Sequence, residues 1–168
     1  KLLLDEGRAI TRKGRAAIYE FDIASGKARI FAGGLRNPVG LAWEPTTDSL
    51  WTVVNERDGL GDETPPDYLT SVREGGFYGW PYCYWGRTVD DRVPQDAAGV
   101  AQLVASAITP DYALGGHTAS LGLCWMPAGT FPGWPEGMAI GQHGSWNRSV
   151  LSGYKVVFVP FADGKPAG

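Results

Sequence analysis

No run of apolar residues in this 168-residue chain approaches the length a membrane-spanning helix needs. The opening stretch KLLLDEGRAITRKGR also lacks the long apolar core of a secretory leader. Charge of one sign is missing too. Fifteen basic residues against eighteen acidic ones leave a net charge of −3, so nothing favours nucleic acid or an anionic lipid surface as partner. Cysteine is scarce: Cys83 and Cys124 are too few for a zinc site. They read by default as buried thiols, with a disulfide as the alternative in an oxidising compartment. Histidine is equally scarce, with His117 and His143 alone. Helical periodicity is weak, and the best candidate, residues 96–107, carries Gly99 in its middle.

What the chain has in quantity is 24 glycines and 12 prolines, about one residue in five, with no collagen period. Seven Trp, seven Tyr and six Phe accompany them. This composition argues for short strands joined by ordered turns and against helix bundles. Alternation predicts a hairpin over 17–33 turning at Ser25-Gly26-Lys27, and strands at Val39–Trp43, Leu50–Val54, Gly122–Met126, Met138–Gln142 and Tyr154–Phe161. Residues 55–68 read as a polar loop, and 87–116 show few clear periods.

Two internal echoes bear on the fold. NPVGLAWEP (37–45) resembles TASLGLCWMP (118–127), with Gly40 aligned on Gly122, 82 residues apart. YEFDIASGK (19–27) resembles VFVPFADGK (157–165) at a spacing of 138. Taken as two and three repeats of about 40–46 residues, these spacings suit four-stranded propeller blades. The expected fold is an all-β β-propeller, with residues 1–168 as a partial domain of three to four blades that carries a long insertion between 55 and 116, either an unusually small propeller or part of a bigger one. A single β-sandwich with accidental echoes is the alternative.

Several constellations could carry chemistry. In GLRNPVG (34–40), Arg36 precedes a strand, and its guanidinium fork suits a carboxylate or quinone oxygen, or else a neighbouring loop carboxylate. Asn37 beside it could share that ligand or cap the turn. The loop NERDGLGDE brings Glu56, Asp58, Asp62 and Glu63 among glycines, an oxygen-rich set suited to Ca²⁺ or to plain solvation. FYGWPYCYWG (77–86) packs six aromatics into ten residues, able to wall a pocket or to fill gaps between sheets. His117 and His143 each lie at a loop–strand junction, where a histidine serves as a base or holds a turn. Asn147-Arg148-Ser149 matches a glycosylation sequon, a short motif frequent by chance.

Together GLRNPVGLAWEP, LWTVVNERDGLGDE, PDYLTSV, GGFYGWPY, LGGHTASLGL and GQHGSWNRSVLSGYKVVFVPF resemble the bacterial glucose/sorbosone dehydrogenase family, and within it the L-sorbosone-dehydrogenase-like branch. The likeness runs over about residues 16–165. It implies a six-bladed, secreted or periplasmic propeller that oxidises aldoses or related sugars with pyrroloquinoline quinone (PQQ) and Ca²⁺. It also implies a separate electron acceptor, such as a cytochrome or quinone. By the same resemblance Arg36, Asn37, Thr118 and Arg148 are cofactor-binding, and the main-chain carbonyls of Arg57 and Asp58 hold the calcium. The family's base is a histidine upstream of the RNP motif, and no histidine precedes Arg36. His117 and His143 are therefore the substitute candidates, and the chain is expected to be inactive alone. Rival readings are a non-enzymatic carbohydrate- or protein-binding propeller and a calcium-dependent lactonase-type hydrolase.

Overall fold

The computed structural model describes residues 14–168. The chain divides into two compact units. One holds the described residues up to Arg36 together with Arg73–Thr109, and the other holds Asn37–Val72 together with Pro110–Gly168.

In the first unit β1 (Ala17–Asp22) and β2 (Lys27–Gly33) form the expected antiparallel hairpin. The Asp22 carboxylate shapes the turn by accepting the amide protons of Ala24 and Ser25. Gly33 then bridges to Phe77. Gly34 has φ +72°, and a Cβ there would lie 2.5 Å from the Phe77 ring, so only glycine fits this close approach. The aromatic cluster does the filling: Tyr78 and Trp80 are buried, and the Tyr78 hydroxyl accepts the Arg73 amide at 3.0 Å. The short pair β6 (Cys83–Tyr84) and β7 (Thr88–Val89) follows. Asp90 then holds the Arg92 guanidinium through both carboxylate oxygens, at 2.8 and 2.7 Å. The helix of this unit, α1 (Val100–Ser106), starts directly after Gly99 and buries Val100.

The second unit is two antiparallel four-stranded sheets. The first runs in the order β3 (Pro38–Glu44), β4 (Ser49–Val54), β5 (Pro66–Ser71), β8 (Tyr112–Gly116). The second runs β9 (Ser120–Met126), β10 (Gly137–Gln142), β11 (Lys155–Ala162), β12 (Lys165–Pro166). Between them lies a core of Trp51, Val53, Leu69, Met138, Ile140, Val159 and Phe161. Phe161 meets Trp51 and Trp125 edge-on, at 4.9 and 5.4 Å between ring centroids. Gly40 lets β3 approach β9, since a Cβ there would sit 2.7 Å from Leu123 Cβ and 2.9 Å from the Leu121 carbonyl.

This topology corrects the repeat arithmetic. Gly40 and Gly122 occupy the first strands of consecutive sheets, so the spacing of 82 is one sheet, not two. The excess length is residues 73–109, which belong to the other unit. The described residues hold two four-stranded sheets and two two-stranded ones. Five strands among the described residues, β5, β6, β7, β8 and β12, are not among those the alternation predicts. β5 begins inside the expected polar loop, and β8 lies in the segment without periods. Both cysteines are free thiols, and Cys124 is exposed rather than buried, because β9 turns Leu123 and Trp125 towards the core instead. No helix among the described residues is long and apolar enough to cross a membrane.

Candidate functional site

Three loops of the second unit interlock where β8 hands over to β9. The β4–β5 loop carries Asn55 to Pro65, the β8–β9 turn carries His117 to Ala119, and the β10–β11 loop carries His143 to Tyr154. The turn is unusual backbone. His117 has φ +53° and Ala119 has φ +49°, left-handed conformations that side-chain-bearing residues adopt only when their surroundings impose them. The chain just before it is equally constrained. A Cβ on Gly116 would lie 2.3 Å from the Asp62 carbonyl oxygen, so the two backbones touch.

His117 is buried in this junction. Its Nε2 donates to the Gly61 carbonyl at 2.8 Å, and its Nδ1 lies 3.3 Å from Asp58 Oδ1. Both ring nitrogens thus face oxygen atoms of the protein. Asp58 Oδ1 also accepts the Asn147 side-chain amide at 3.3 Å, which ties in the third loop. Arg148 is similarly engaged. Its Nε donates to the Val150 carbonyl at 2.7 Å, its Nη1 to the carbonyls of Asp62 and Gly116 at 2.9 and 3.3 Å, and its Nη2 pairs with Glu63. The Glu63 partnership holds the Arg148 guanidinium above its ordinary pKa. Asp62 accepts the Ser149 amide at 3.0 Å, and the hydrogen bonds from Ser149 hold its carboxyl below the ordinary 3.8.

Beneath these groups sits a buried polar chain. Asp67 Oδ1 accepts the Glu56 amide at 2.9 Å, while Oδ2 accepts the Thr118 hydroxyl at 3.0 Å and the Ser120 amide at 3.2 Å. Thr118 and Ser120 share a hydroxyl hydrogen bond of 2.8 Å, and Gln142 Nε2 donates to Ser120 Oγ at 3.2 Å. Burial pushes the Asp67 carboxyl up, against the pull of its donors and of His117. Arg57 and Glu56 form a buried ion pair at 3.2 Å. Gln142 Oε1 is buried and receives no protein hydrogen bond.

The sequence-derived candidates do not all meet. Asp58, His117, Thr118 and Arg148 share this junction. His143 is exposed beside it, with its amide donating to the Ala119 carbonyl at 2.9 Å. Asn37 is exposed at the start of β3, and its carbonyl accepts the Asn55 amide at 3.1 Å. Arg36 belongs to the first unit, half-buried, its guanidinium 5.8 Å from the centre of the Trp80 ring. Sequence reasoning did not single out Asp67, Ser120 or Gln142. The carboxylates of the acidic loop are taken up by protein partners: Glu56 by Arg57, Asp58 by His117 and Asn147, Asp62 by Ser149, and Glu63 by Arg148. Among the described residues no group of three or more His, Cys, Asp or Glu side chains is arranged to hold a metal ion. A calcium ion here would fit only through main-chain carbonyls, the donor type the resemblance ascribes to Arg57 and Asp58.

The profile of the TrAA12-like family matches residues 4–168. The chain belongs to the TrAA12-like family. Among curated proteins, this TrAA12-like chain is 32% identical over 149 residues to an uncharacterised protein of Borreliella burgdorferi, covering 88% of the chain and 38% of that protein. It is 30% identical over 115 residues to the aldose sugar dehydrogenase YliI of Escherichia coli, covering 68% and 29%. It is also 30% identical over 185 residues to a pyrroloquinoline quinone-dependent pyranose dehydrogenase of Coprinopsis cinerea, covering 88% and 25%. The chain thus spans well under half the length of these relatives. Of solved structures, the calcium structure of the Trichoderma reesei family AA12 enzyme superposes with a TM-score of 0.79 at 22% identity, over 97% of this chain and 48% of that one. The holo PQQ domain of the Coprinopsis cinerea pyranose dehydrogenase gives 0.74 at 24%, over 95% and 49%. At these identities the superpositions establish a shared all-β fold.

Proposed function

We propose that this TrAA12-like chain supplies part of a six-bladed propeller dehydrogenase, of the L-sorbosone-dehydrogenase-like kind, that oxidises a sugar or sugar aldehyde with PQQ and Ca²⁺. Relatives named as aldose and pyranose dehydrogenases supply the chemistry. The observation that carries the reading is the fixing of the Arg57–Asp58 segment, by His117 and Asn147 on Asp58 and by Arg148 on Asp62 and Glu63. These contacts hold the acidic loop in one conformation, which a site of main-chain oxygens requires.

PQQ, when bound, supplies a two-electron acceptor for the sugar's hydride. Arg57 and Asp58 would offer carbonyl oxygens to the calcium. Arg36 and Asn37 would meet the quinone oxygens, with Arg36 as a fixed cation where negative charge develops. Thr118 and Arg148 act from within the protein, since the Thr118 hydroxyl is spent on Asp67 and the Arg148 guanidinium on the loops. Of the two histidines, His143 is the exposed one and the better base for the sugar hydroxyl, while His117 has both nitrogens occupied. Electrons would leave to a separate cytochrome or quinone acceptor, in a periplasmic or secreted setting.

The test is reduction of an artificial electron acceptor by the protein carrying this chain, with aldoses, pyranoses and L-sorbosone as substrates. Turnover is expected only with PQQ and Ca²⁺ together. His143→Gln is expected to lower kcat by about 10²-fold or more. Absence of both turnover and a PQQ difference spectrum overturns the assignment, and full activity of His143→Gln dismisses that histidine as base.

A further inference from the structure

We infer that Asp67 is the positioning residue of this site, one buried carboxylate that sets both the strained turn presenting His117 and the loop His117 grips. The inference rests on the functional reading only for what the site does, not for how Asp67 holds it.

The geometry is reciprocal. On Oδ2, Asp67 takes the Thr118 hydroxyl and the Ser120 amide, at 3.0 and 3.2 Å, and so pins the residues on either side of Ala119 and immediately after His117. Both His117 and Ala119 are left-handed, and a turn of that kind relaxes unless something holds it. On Oδ1, Asp67 takes the Glu56 amide at 2.9 Å and pins the root of the loop that carries Asp58 and Gly61. Those residues are the two that face the His117 ring nitrogens. The carboxylate therefore fixes the imidazole from one side and its acceptors from the other.

The network also has a direction. Because Thr118 Oγ1 donates to Asp67, the Ser120 hydroxyl must donate to Thr118, and the Gln142 amide donates to Ser120. Each donor in the chain points towards Asp67, which is 1% exposed. Asparagine cannot replace it. An amide has one oxygen and one NH₂, and donors approach both ends of the carboxylate. Whichever way the substituted amide turned, either Glu56 or the Thr118–Ser120 pair would face another donor. The closest substitution in shape is thus the one that separates the charge and double acceptance from simple space-filling.

The decisive measurement is long-range ¹H–¹⁵N NMR of the histidine rings in the full chain, with the His117 signals identified by their loss in His117→Gln. In the wild type the His117 Nε2 proton is expected to be slow to exchange, as a donor to Gly61. In Asp67→Asn the fold is expected to persist by circular dichroism, while that proton exchanges at least tenfold faster and the ring shifts move towards those of free imidazole. Thr118→Val is expected to give the same change in weaker form, and Thr118→Ser to restore the wild-type spectrum. If Asp67→Asn does not fold, the Thr118 pair decides. In the turnover assay Asp67→Asn is expected to lower kcat at least tenfold with KM for sugar within about threefold. Unchanged His117 signals in folded Asp67→Asn, or in Thr118→Val where Asp67→Asn does not fold, overturn the proposal. The ring spectra need no PQQ, so they stand or fall apart from the dehydrogenase reading.

Discussion

Adding one methyl group at Gly116 is the sharpest probe of how the site is built. A Cβ there would lie 2.3 Å from the Asp62 carbonyl oxygen, 2.9 Å from Glu63 Cα and 3.0 Å from Glu63 C. All three are main-chain atoms, so no rotamer change relieves the overlap. Non-bonded carbon contacts settle near 3.5 Å, so the β4–β5 loop must withdraw from β8 by roughly 1 Å. Overpacking of this kind costs about 1–3 kcal/mol, and in a chain this long each kcal/mol lowers the melting temperature by about 2–4 °C. Gly116→Ala is therefore expected to melt about 2–12 °C lower and to weaken the His117–Gly61 contact, whose acceptor lies on the displaced loop. Gly122→Ala is the control. It lies in a strand of the same unit, its φ is ordinary, and its added Cβ would meet nothing closer than the Gly141 nitrogen at 3.5 Å. Urea titration and thermal melting of both variants measure the difference. A Gly116→Ala protein as stable as Gly122→Ala would refute the claim that backbone contact, rather than side-chain hydrogen bonding alone, sets the loop's position.

Phe161→Ala removes the ring that meets both Trp51 and Trp125 in the core between the sheets, and is expected to cost about 3–5 kcal/mol in urea unfolding. A loss below about 1 kcal/mol would mean the two sheets do not share that core. Asp62 gives a pH signature. Its folded carboxyl titrates below 3.8, held down first by the Ser149 amide. Its contribution to stability is thus present above 3.8 and lost as pH falls through the lower folded value. Asp62→Asn should then be less stable than wild type at about pH 5–7 and should converge with it in stronger acid, as read by urea midpoints across pH.

The inner-strand echo is legible in the apolar run that follows each of its glycines. Gly40 is needed where β3 crosses β9, and the apolar residues that follow Gly40 and Gly122 each build a first strand. The hairpin echo is equally legible, since β1–β2 and β11–β12 turn through similar Gly-Lys sequences. The spacing of 82 exceeds one sheet because residues 73–109, inside the insertion expected between 55 and 116, belong to the other unit. β4 was found even though Trp51 through Val54 are all buried, because a continuous apolar run also reads as a strand. β5 was missed for a different reason, since it opens with Pro66 and Asp67 and looks like the tail of an acidic loop.

Asp67 shows where reading from sequence stops. It stands among Glu56, Asp58, Asp62 and Glu63, and nothing in its neighbours separates it from acids that face water. Its partners are Thr118 and Ser120, 51 and 53 residues further on, and the chain between includes residues 73–109 of the other unit. A carboxylate is buried only when donors converge on it, and convergence over that distance is a property of the fold. The histidine and the acidic loop could be proposed from composition because their chemistry is carried by residue type. What holds them together is carried by topology. The two glycines before His117 were the one local sign, since Gly115 and Gly116 mark a stretch that tolerates no side chain where two backbones meet.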